Sequence, residues 1–478
     1  MDRPGLKTDP AVPDNAGAST GTGARGFGSL FNVQRGEWLP VLLASVFFFC
    51  VLTALMVLRP AREALGMQRG IESVRWLFMA TALVTLVAVP AFGWLVSRFR
   101  RMVFITATYA LFALSLLGFH LVMVLAPTAI GITSGQVFYV WFSVFNLFST
   151  MVFWALMADR FTLDQGKRLF ALIAVGGTLG AVFGPWLAWQ LAEPLGTPAL
   201  LLVAIGFLLL AIVAAWAVAH VQPRIAPAAG ATGADGARPT GAPADRPDGA
   251  VIGGSAWAGF RAVARSPYLM GIAGYVVLMT LMATLLYFTR LQMVAALGDD
   301  VDLRTTIFAR IDLITQVATL VLQAVIAGHL MRRLGVAFTL ALLPLTVALG
   351  FIGLAIVGSL AALIAFEAVF RALQRAITRP ARETLYTVTS RSDKYKSKAF
   401  IDTFVYRGGD VLGAQLEGLL VRLGLGLAAL AAVAVPLALA WAILGLWLGR
   451  TQQRMAVLAP QRDVRRPPPP PSAARSTT

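Results

Sequence analysis

Two heptads of this chain are nearly the same: Arg59 to Leu65 reads RPAREAL and Arg379 to Leu385 reads RPARETL. Each lies in or beside a long apolar run. A guanidinium stays charged and presents a planar fork of N–H donors suited to bidentate contact with phosphate or carboxylate. The second heptad belongs to a longer series, because Glu367, Arg371, Arg375, Arg379 and Glu383 recur every fourth residue and stack turn by turn on a helix. Glu367 with Arg371, and Arg379 with Glu383, could neutralise one another. Arg375 and Arg382 have no acid left on their own helix, and an unpaired charge at the bilayer centre costs at least about 2.5–3.5 kcal/mol. The chemistry that fits is binding of an anion in a hydrated hollow. Arg59, Arg62, Arg379 and Arg382 are expected to hold it, with Glu63, Arg375, Glu383 and Arg407 completing the substrate-binding set. Pro60 and Pro380 each remove a backbone donor and are expected to break their helices beside these arginines.

Further along, Asp402 and Asp410 fall on one helix face eight residues apart, with Arg407 three residues before Asp410. Either they pair with the arginines of the preceding helix, or one of them carries a proton during transport. With Glu367 they form the proton-coupling or ion-pair candidates. Asp159 and Arg160 are expected to be structural, closing a loop toward Lys167. The chain contains no GxxxxGK[ST], HExxH or GxSxG motif, so neither ATP hydrolysis nor the usual hydrolase chemistry is expected. No enzymatic activity and no cofactor are expected. Cys50, the single cysteine, rules out a disulfide within the chain and a cysteine-based metal site, and no metal is expected.

The elements that position these residues follow from composition. Hydrophobic residues make up 58% and charged residues 13% of 478, against about 45–50% apolar in soluble domains. The net charge of +17 comes from arginines spread through loops, tails and a few helices with no aromatic stacking platform, which argues against nucleic acid. Runs of about 20 apolar residues cross a bilayer. Such runs fall at Trp38–Leu58, Trp76–Ser97, Met102–Ala126, Val137–Ala158, Leu169–Ala192 and Pro198–Ala219. After a Pro, Ala and Gly stretch come Pro267–Thr289, Leu313–Met331, Val336–Ile356, Leu363–Val388, Ala399–Val421 and Leu423–Leu448. The expectation is an all-α membrane protein of twelve transmembrane helices in two pseudo-symmetric six-helix bundles. The bundles span 37–219 and 263–450, with a flexible linker over 220–262 and disordered tails over 1–36 and 451–478. Lys and Arg follow helices 2 and 8 and precede helices 5 and 11, which places both termini in the cytoplasm. Arg59, Arg62, Arg69 and Arg75 break that rule by falling between helices 1 and 2.

Repetition supports two related halves. Gly93 to Arg101 (GWLVSRFRR) and Gly328 to Gly335 (GHLMRRLG) each follow the second helix of a half, and Gly176 and Gly177 recur as Gly408 and Gly409. The arginine heptads are 320 residues apart. That offset links helix 1 to helix 10 and suits halves that are themselves pairs of three-helix units, with helices 1, 4, 7 and 10 lining a cavity. GWLVSRFRR resembles the loop signature of the major facilitator superfamily, with Ser97 where an acid is usual. That resemblance implies gating loops at Gly93, Arg98 and Arg101 and at Gly328 and Arg332. Phe153 to Gly180 and Thr378 to Gly413 resemble the helix 4–5 and helix 10–11 segments of the ATP/ADP translocase family. In that family, lysines of helices 1 and 10 contact nucleotide phosphates; by position these fall on Arg59 or Arg62 and on Arg382. The resemblance implies secondary exchange of an anionic metabolite, a nucleotide of the ATP/ADP kind, by a monomer in the inner (plasma) membrane. The alternatives are a proton-coupled transporter or exporter of another organic anion, and a non-transporting scaffold or sensor.

Overall fold

A computed structural model describes residues 33–34, 36–126, 128–221, 256–326 and 330–464. Among these, every regular element is helical. Helices α1 (Trp38–Gly66), α2 (Ile71–Arg98), α3 (Arg101–Leu125), α4 (Thr128–Arg160), α5 (Leu163–Leu195) and α6 (Ala199–Val221) form the first half. The short α7 (Ala256–Arg265) leads into α8 (Pro267–Ala295), α9 (Val301–Ile326) and α10 (Leu330–Val357). Two composite rods follow: α11 (Leu360–Leu373) with α12 (Arg379–Leu385), and α13 (Arg391–Phe400) with α14 (Tyr406–Arg422). Helix α15 (Leu427–Val464) closes the chain. Ten of these helices are long and apolar enough to cross a membrane, and the two composite rods, richer in charge, complete the twelve. The loops at Met67–Gly70, Ala296–Asp300 and Leu423–Gly426 mark one end of the bundle, here the far end. The turns at 99–100 and 389–390 mark the other, the terminal end.

Each half has its own apolar core. Phe47, Phe153, Leu169 and Leu208 anchor the first, and Tyr275, Leu340, Phe351 and Trp441 the second. Glycines set the spacing within both. A Cβ built on Gly176 would lie 2.2 Å from the Ser45 carbonyl of α1, and one on Gly180 would lie 2.5 Å from that of Phe49. In the second half, a Cβ on Gly409 or Gly413 would meet the Val277 or Leu281 carbonyl of α8 at 3.0 Å. The repeated glycines therefore let α5 and α14 approach α1 and α8 backbone to backbone, as small residues do between membrane helices.

Several boundaries differ from the sequence expectation. Helix α1 runs through Pro60 to Gly66, so Arg59 and Arg62 lie inside it, and Arg75 lies in the first turns of α2. Charges flanking an apolar run were read as loop, whereas the 29 residues of α1 span about 43 Å against a hydrocarbon core of about 30 Å. The linker expected over 220–262 ends sooner, because residues 256–265 form α7. Helix α15 continues past Arg450 to Val464 where a tail was expected. The rest of the linker, nearly all of the N-terminal tail and residues 465–478 lie outside the described residues. Pro380 does mark a break: a π-helical turn, Gln374–Thr378, precedes it, and the Arg379 amide reaches Gln374 O. A second π turn, Ile401–Val405, joins α13 to α14. Gly176→Val should destabilise the fold by about 1–3 kcal/mol through overpacking, read as a lower melting temperature in detergent. Gly206→Ala, whose Cβ would meet nothing within 4 Å, should leave it unchanged or slightly higher.

Candidate functional site

The halves are joined at the far end by buried charge. Arg290 of α8, with 1% of its side chain exposed, lies 3.2 Å from Asp312 of α9, 3.4 Å from Glu367 of α11 and 3.8 Å from Glu63 of α1. Arg59 reaches across from α1 to Asp312 at 3.5 Å. Arg371 contacts Glu367 and lies 3.6 Å from Asp312. Arg62 donates to Glu63 at 2.8 Å and to the Tyr139 carbonyl at 3.3 Å, its guanidinium 3.7 Å over the Tyr139 ring. The Tyr139 and Tyr287 hydroxyls are 2.9 Å apart across the halves, and Tyr287 donates to Glu63. A second cross-half cluster pairs Arg75 with Glu417 at 2.8 Å, with Glu72 and Gln292 as further partners. A third ties the Thr197 amide to Asp302 at 2.6 Å and the Thr197 hydroxyl to Thr305 at 2.8 Å.

Beneath this plug, between the halves, lies a cavity of about 480 Å³. Arg59, Arg62, Phe78, Phe142, Ser143 and Asn146 line it from the first half, and Arg375, Arg407 and Asp410 from the second. Arg407 lies 3.4 Å from Asp410. Arg375 donates to the Gln316 amide oxygen at 3.3 Å and has no carboxylate partner among the described residues. Of the charged groups in the neighbouring cluster, four are guanidinium (Arg59, Arg62, Arg290, Arg371) and three are carboxylate (Glu63, Asp312, Glu367). The site therefore carries an excess of positive charge before Arg375 is added.

The structure divides the expected site. Arg59, Arg62, Arg375 and Arg407 share the cavity, whereas Arg379 and Arg382 line a separate hollow of about 90 Å³ with Met279, Gln374 and Tyr406. The π turn Gln374–Thr378, which contains Arg375 and ends before Arg379, widens the winding and carries the later arginines off the line of the earlier ones. Arg382 faces Asp402 at 3.2 Å. Glu383 pairs with Lys398 at 2.6 Å rather than with Arg379, near the terminal end and outside the cavity. Among the gating-loop residues, Arg101 holds Asp159 at 2.5 Å within the first half, and Arg98 lies 5.1 Å from the Trp94 ring. Gly93 falls in the last turns of α2 and Arg332 in the first turn of α10, and Gly328 lies outside the described residues.

Sequence reasoning missed Arg290, Asp312, Tyr287 and Tyr139. Arg290 directly follows, and Asp312 directly precedes, an apolar run whose boundary had been drawn at the charge. Run length gave no signal, because Pro267–Thr289 and Leu313–Met331 are each already long enough to cross a bilayer without the charge at their edge. Glu417→Ala should cost about 3–5 kcal/mol by leaving Arg75 buried without Glu417. The double substitution Arg75→Met with Glu417→Met should recover most of that loss, as thermal unfolding in detergent would record.

A family model described as Major Facilitator Superfamily matches residues 41–379. Among solved structures, the POT family transporter PepTSo superposes with a TM-score of 0.59 at 12% identity, over 87% of this chain and 98% of that one. An auto-inhibited POT family peptide transporter gives 0.57 at 13% identity, over 85% and 96%. The nucleoside transporter NupG gives 0.54 at 12%, over 86% and 99%. At such identities the likeness carries the fold alone. No curated protein sequence matches the chain. Two six-helix halves around a charged central cavity, and a family match over most of the length, lead to one conclusion: the chain belongs to the major facilitator superfamily and is a multi-pass membrane transporter of a small molecule rather than an enzyme.

Proposed function

We propose that the chain is a secondary active transporter of an anionic metabolite, with a nucleotide exchanged in the ATP/ADP manner as its specific substrate. The observation that carries this is Arg375, which lines the cavity between the halves and, among the described residues, has a neutral amide as its hydrogen-bond partner and no ion pair. A guanidinium so placed stands near Arg59 and Arg62, whose own carboxylates are already shared with Arg290 and Arg371. An anion entering the cavity supplies the missing negative charge. Beside Arg59 and Arg62, the first half offers aromatic surface at Phe78 and Phe142 and hydrogen-bonding groups at Ser143 and Asn146, while the second half brings Arg375 and Arg407, a lining suited to a substrate with a charged end and a planar heteroaromatic end. The resemblance of the helix 4–5 and 10–11 segments to nucleotide translocases supports the same assignment.

The distribution of Lys and Arg supports a cytoplasmic terminal end, and the inner (plasma) membrane is the location proposed with it. The far-end plug is then an outer gate, and the conformation is open inward. Substrate phosphate competes with Asp312 and Glu63 for Arg59 and Arg62, which weakens the plug and links occupancy to reopening. The exchange is carried by a monomer, since one chain supplies both walls of the cavity. Asp410 lines the same cavity beside Arg407, which favours proton coupling as the second mode.

Uptake of labelled ATP and ADP into proteoliposomes, with and without nucleotide preloaded inside, tests the assignment. Arg375→Gln should raise the half-saturating concentration about 10- to 100-fold, the loss of one charge-assisted contact worth about 1.5–3 kcal/mol. Unaltered uptake in that variant would remove the proposed site. Counterflow that ignores an imposed proton gradient and survives Asp410→Asn would eliminate the proton-coupled mode.

A further inference from the structure

A second cavity, of about 630 Å³, lies at the terminal end of the second half, away from the central one. Its walls come from α7, the start of α8, the turn before α13 and the end of α15. Arg261 and Arg265 of α7 and Lys396 of α13 line it, and Tyr268, Ser390 and Asp393 are among its other polar residues. No carboxylate pairs with Arg261, Arg265 or Lys396 among the described residues. The wall holds one acid, Asp393, whose carboxylate accepts from the Ser390 hydroxyl at 2.8 Å, so three cations against one carboxylate leave the lining with an excess of positive charge.

The general bias of Lys and Arg toward one membrane face would leave such charges scattered on loops. Here the packing brings them together. A Cβ built on Gly259 would lie 2.6 Å from the Lys396 carbonyl, so α7 and α13 touch backbone to backbone. Phe260 packs on Phe400 with ring centroids 5.8 Å apart, and the Tyr268 hydroxyl donates to Leu385 O at 2.9 Å, fixing the start of α8 to the end of α12. The elements that carry the three cationic side chains are thus packed together around one hollow, and an anion entering it comes within reach of positive charge from both α7 and α13.

We infer that this hollow is a binding site for a phosphate group, separate from the transport cavity, taken from an anionic phospholipid headgroup or from soluble phosphate. Its position favours the headgroup. The apolar side of α7 exposes Phe260 and the next helix exposes Met270, surface suited to acyl chains at the depth where basic side chains meet anionic headgroups. A bound phosphate bridges α7, where the linker ends, to α13, which leads into the rod bearing Asp402 and Arg407. The inference is independent of which substrate occupies the central cavity.

The test uses the full chain purified in a neutral detergent, with melting temperature and lipid retention in native mass spectrometry as readouts. Phosphatidylglycerol is titrated against phosphatidylcholine, and inorganic phosphate and pyrophosphate are titrated separately. Phosphatidylglycerol should raise the melting temperature and be retained where phosphatidylcholine is not. The double variant Arg261→Ala with Lys396→Ala should require about tenfold more lipid or worse for the same shift, whereas Arg100→Ala with Lys167→Ala, equal in charge removed, should behave as wild type. Stabilisation by phosphate or pyrophosphate with the same dependence on Arg261 and Lys396, and none by the lipid, would assign the site to a soluble ligand. Stabilisation by none of the probes, or equal loss in both double variants, would overturn the inference. Lys396→Gln, which leaves α7 intact, gives the same comparison should the double variant fold poorly.

Discussion

The guanidinium of Arg290 is buried where the two halves meet, so it must find its negative charge in the protein. Arg290, with 1% of its side chain exposed, satisfies this with three carboxylates, one of them from the opposite half. Such a cluster is not an efficient source of stability, because apolar residues of similar volume hold buried interfaces equally well or better. What an ionic junction adds is responsiveness. Distances of 3.2–3.8 Å around Arg290 describe charges that share partners rather than locked one-to-one pairs, and Nη2 of Arg290, Oδ2 of Asp312 and Nη1 of Arg371 make no hydrogen bond among the described residues. The same end is also closed by apolar contact of Met67 and Val74 with Phe288, Leu291 and Phe308, and the ionic part is the portion that an incoming anion can reorganise.

The same constraint orders the second half. Glu367 and Arg371 close on each other one turn apart and join the Arg290 cluster. One turn further on, Arg375 makes no ion pair among the described residues and lines the cavity. It lies within the π turn Gln374–Thr378, beyond which Arg379 and Arg382 line a different hollow, where Asp402 meets Arg382 at 3.2 Å. A single rod thus hands over from internally compensated charge, to charge open toward the cavity, to charge compensated by the neighbouring rod. The π turns at Gln374–Thr378 and Ile401–Val405 sit side by side in sequence order within these two rods, and both fall next to charged groups that face the interior.

Much of the architecture was legible in the sequence because the bilayer imposes a strong pattern. Long apolar runs and paired glycines translate directly into crossings and close helix approaches. Arg59 and Arg62 were legible as interior cations because nothing about topology accounted for arginines at that place. What the pattern hid was pairing between distant helices. Arg290 and Asp312 border apolar runs, and a hydropathy boundary drawn at a charge turns each into a loop residue. The partition of the helix 10 arginines between two hollows was hidden for a different reason. An i, i+4 series assumes uniform α winding, and Pro380, which lacks an amide to give to the turn before it, accompanies a wider turn that breaks the series.

The two heptads show how little of this is written in seven letters. RPAREAL in α1 stays α-helical through its proline, and RPARETL in α12 follows a π turn. The difference lies in what surrounds them. Helix α1 is clamped along its length by α5, whose glycines bring the backbones into contact at Ser45, Phe49 and Met56, so the bond missing at Pro60 is absorbed by a helix with no room to widen. The rod that holds α12 has no such clamp beside Pro380, where Arg379 and Arg382 face a hollow instead of a packed backbone. The donor lost at the proline is then accommodated by extra residues in the preceding turn. Rigid packing around one copy and open space around the other make near-identical sequences into an ion-pairing strut in the first half and a change of winding in the second.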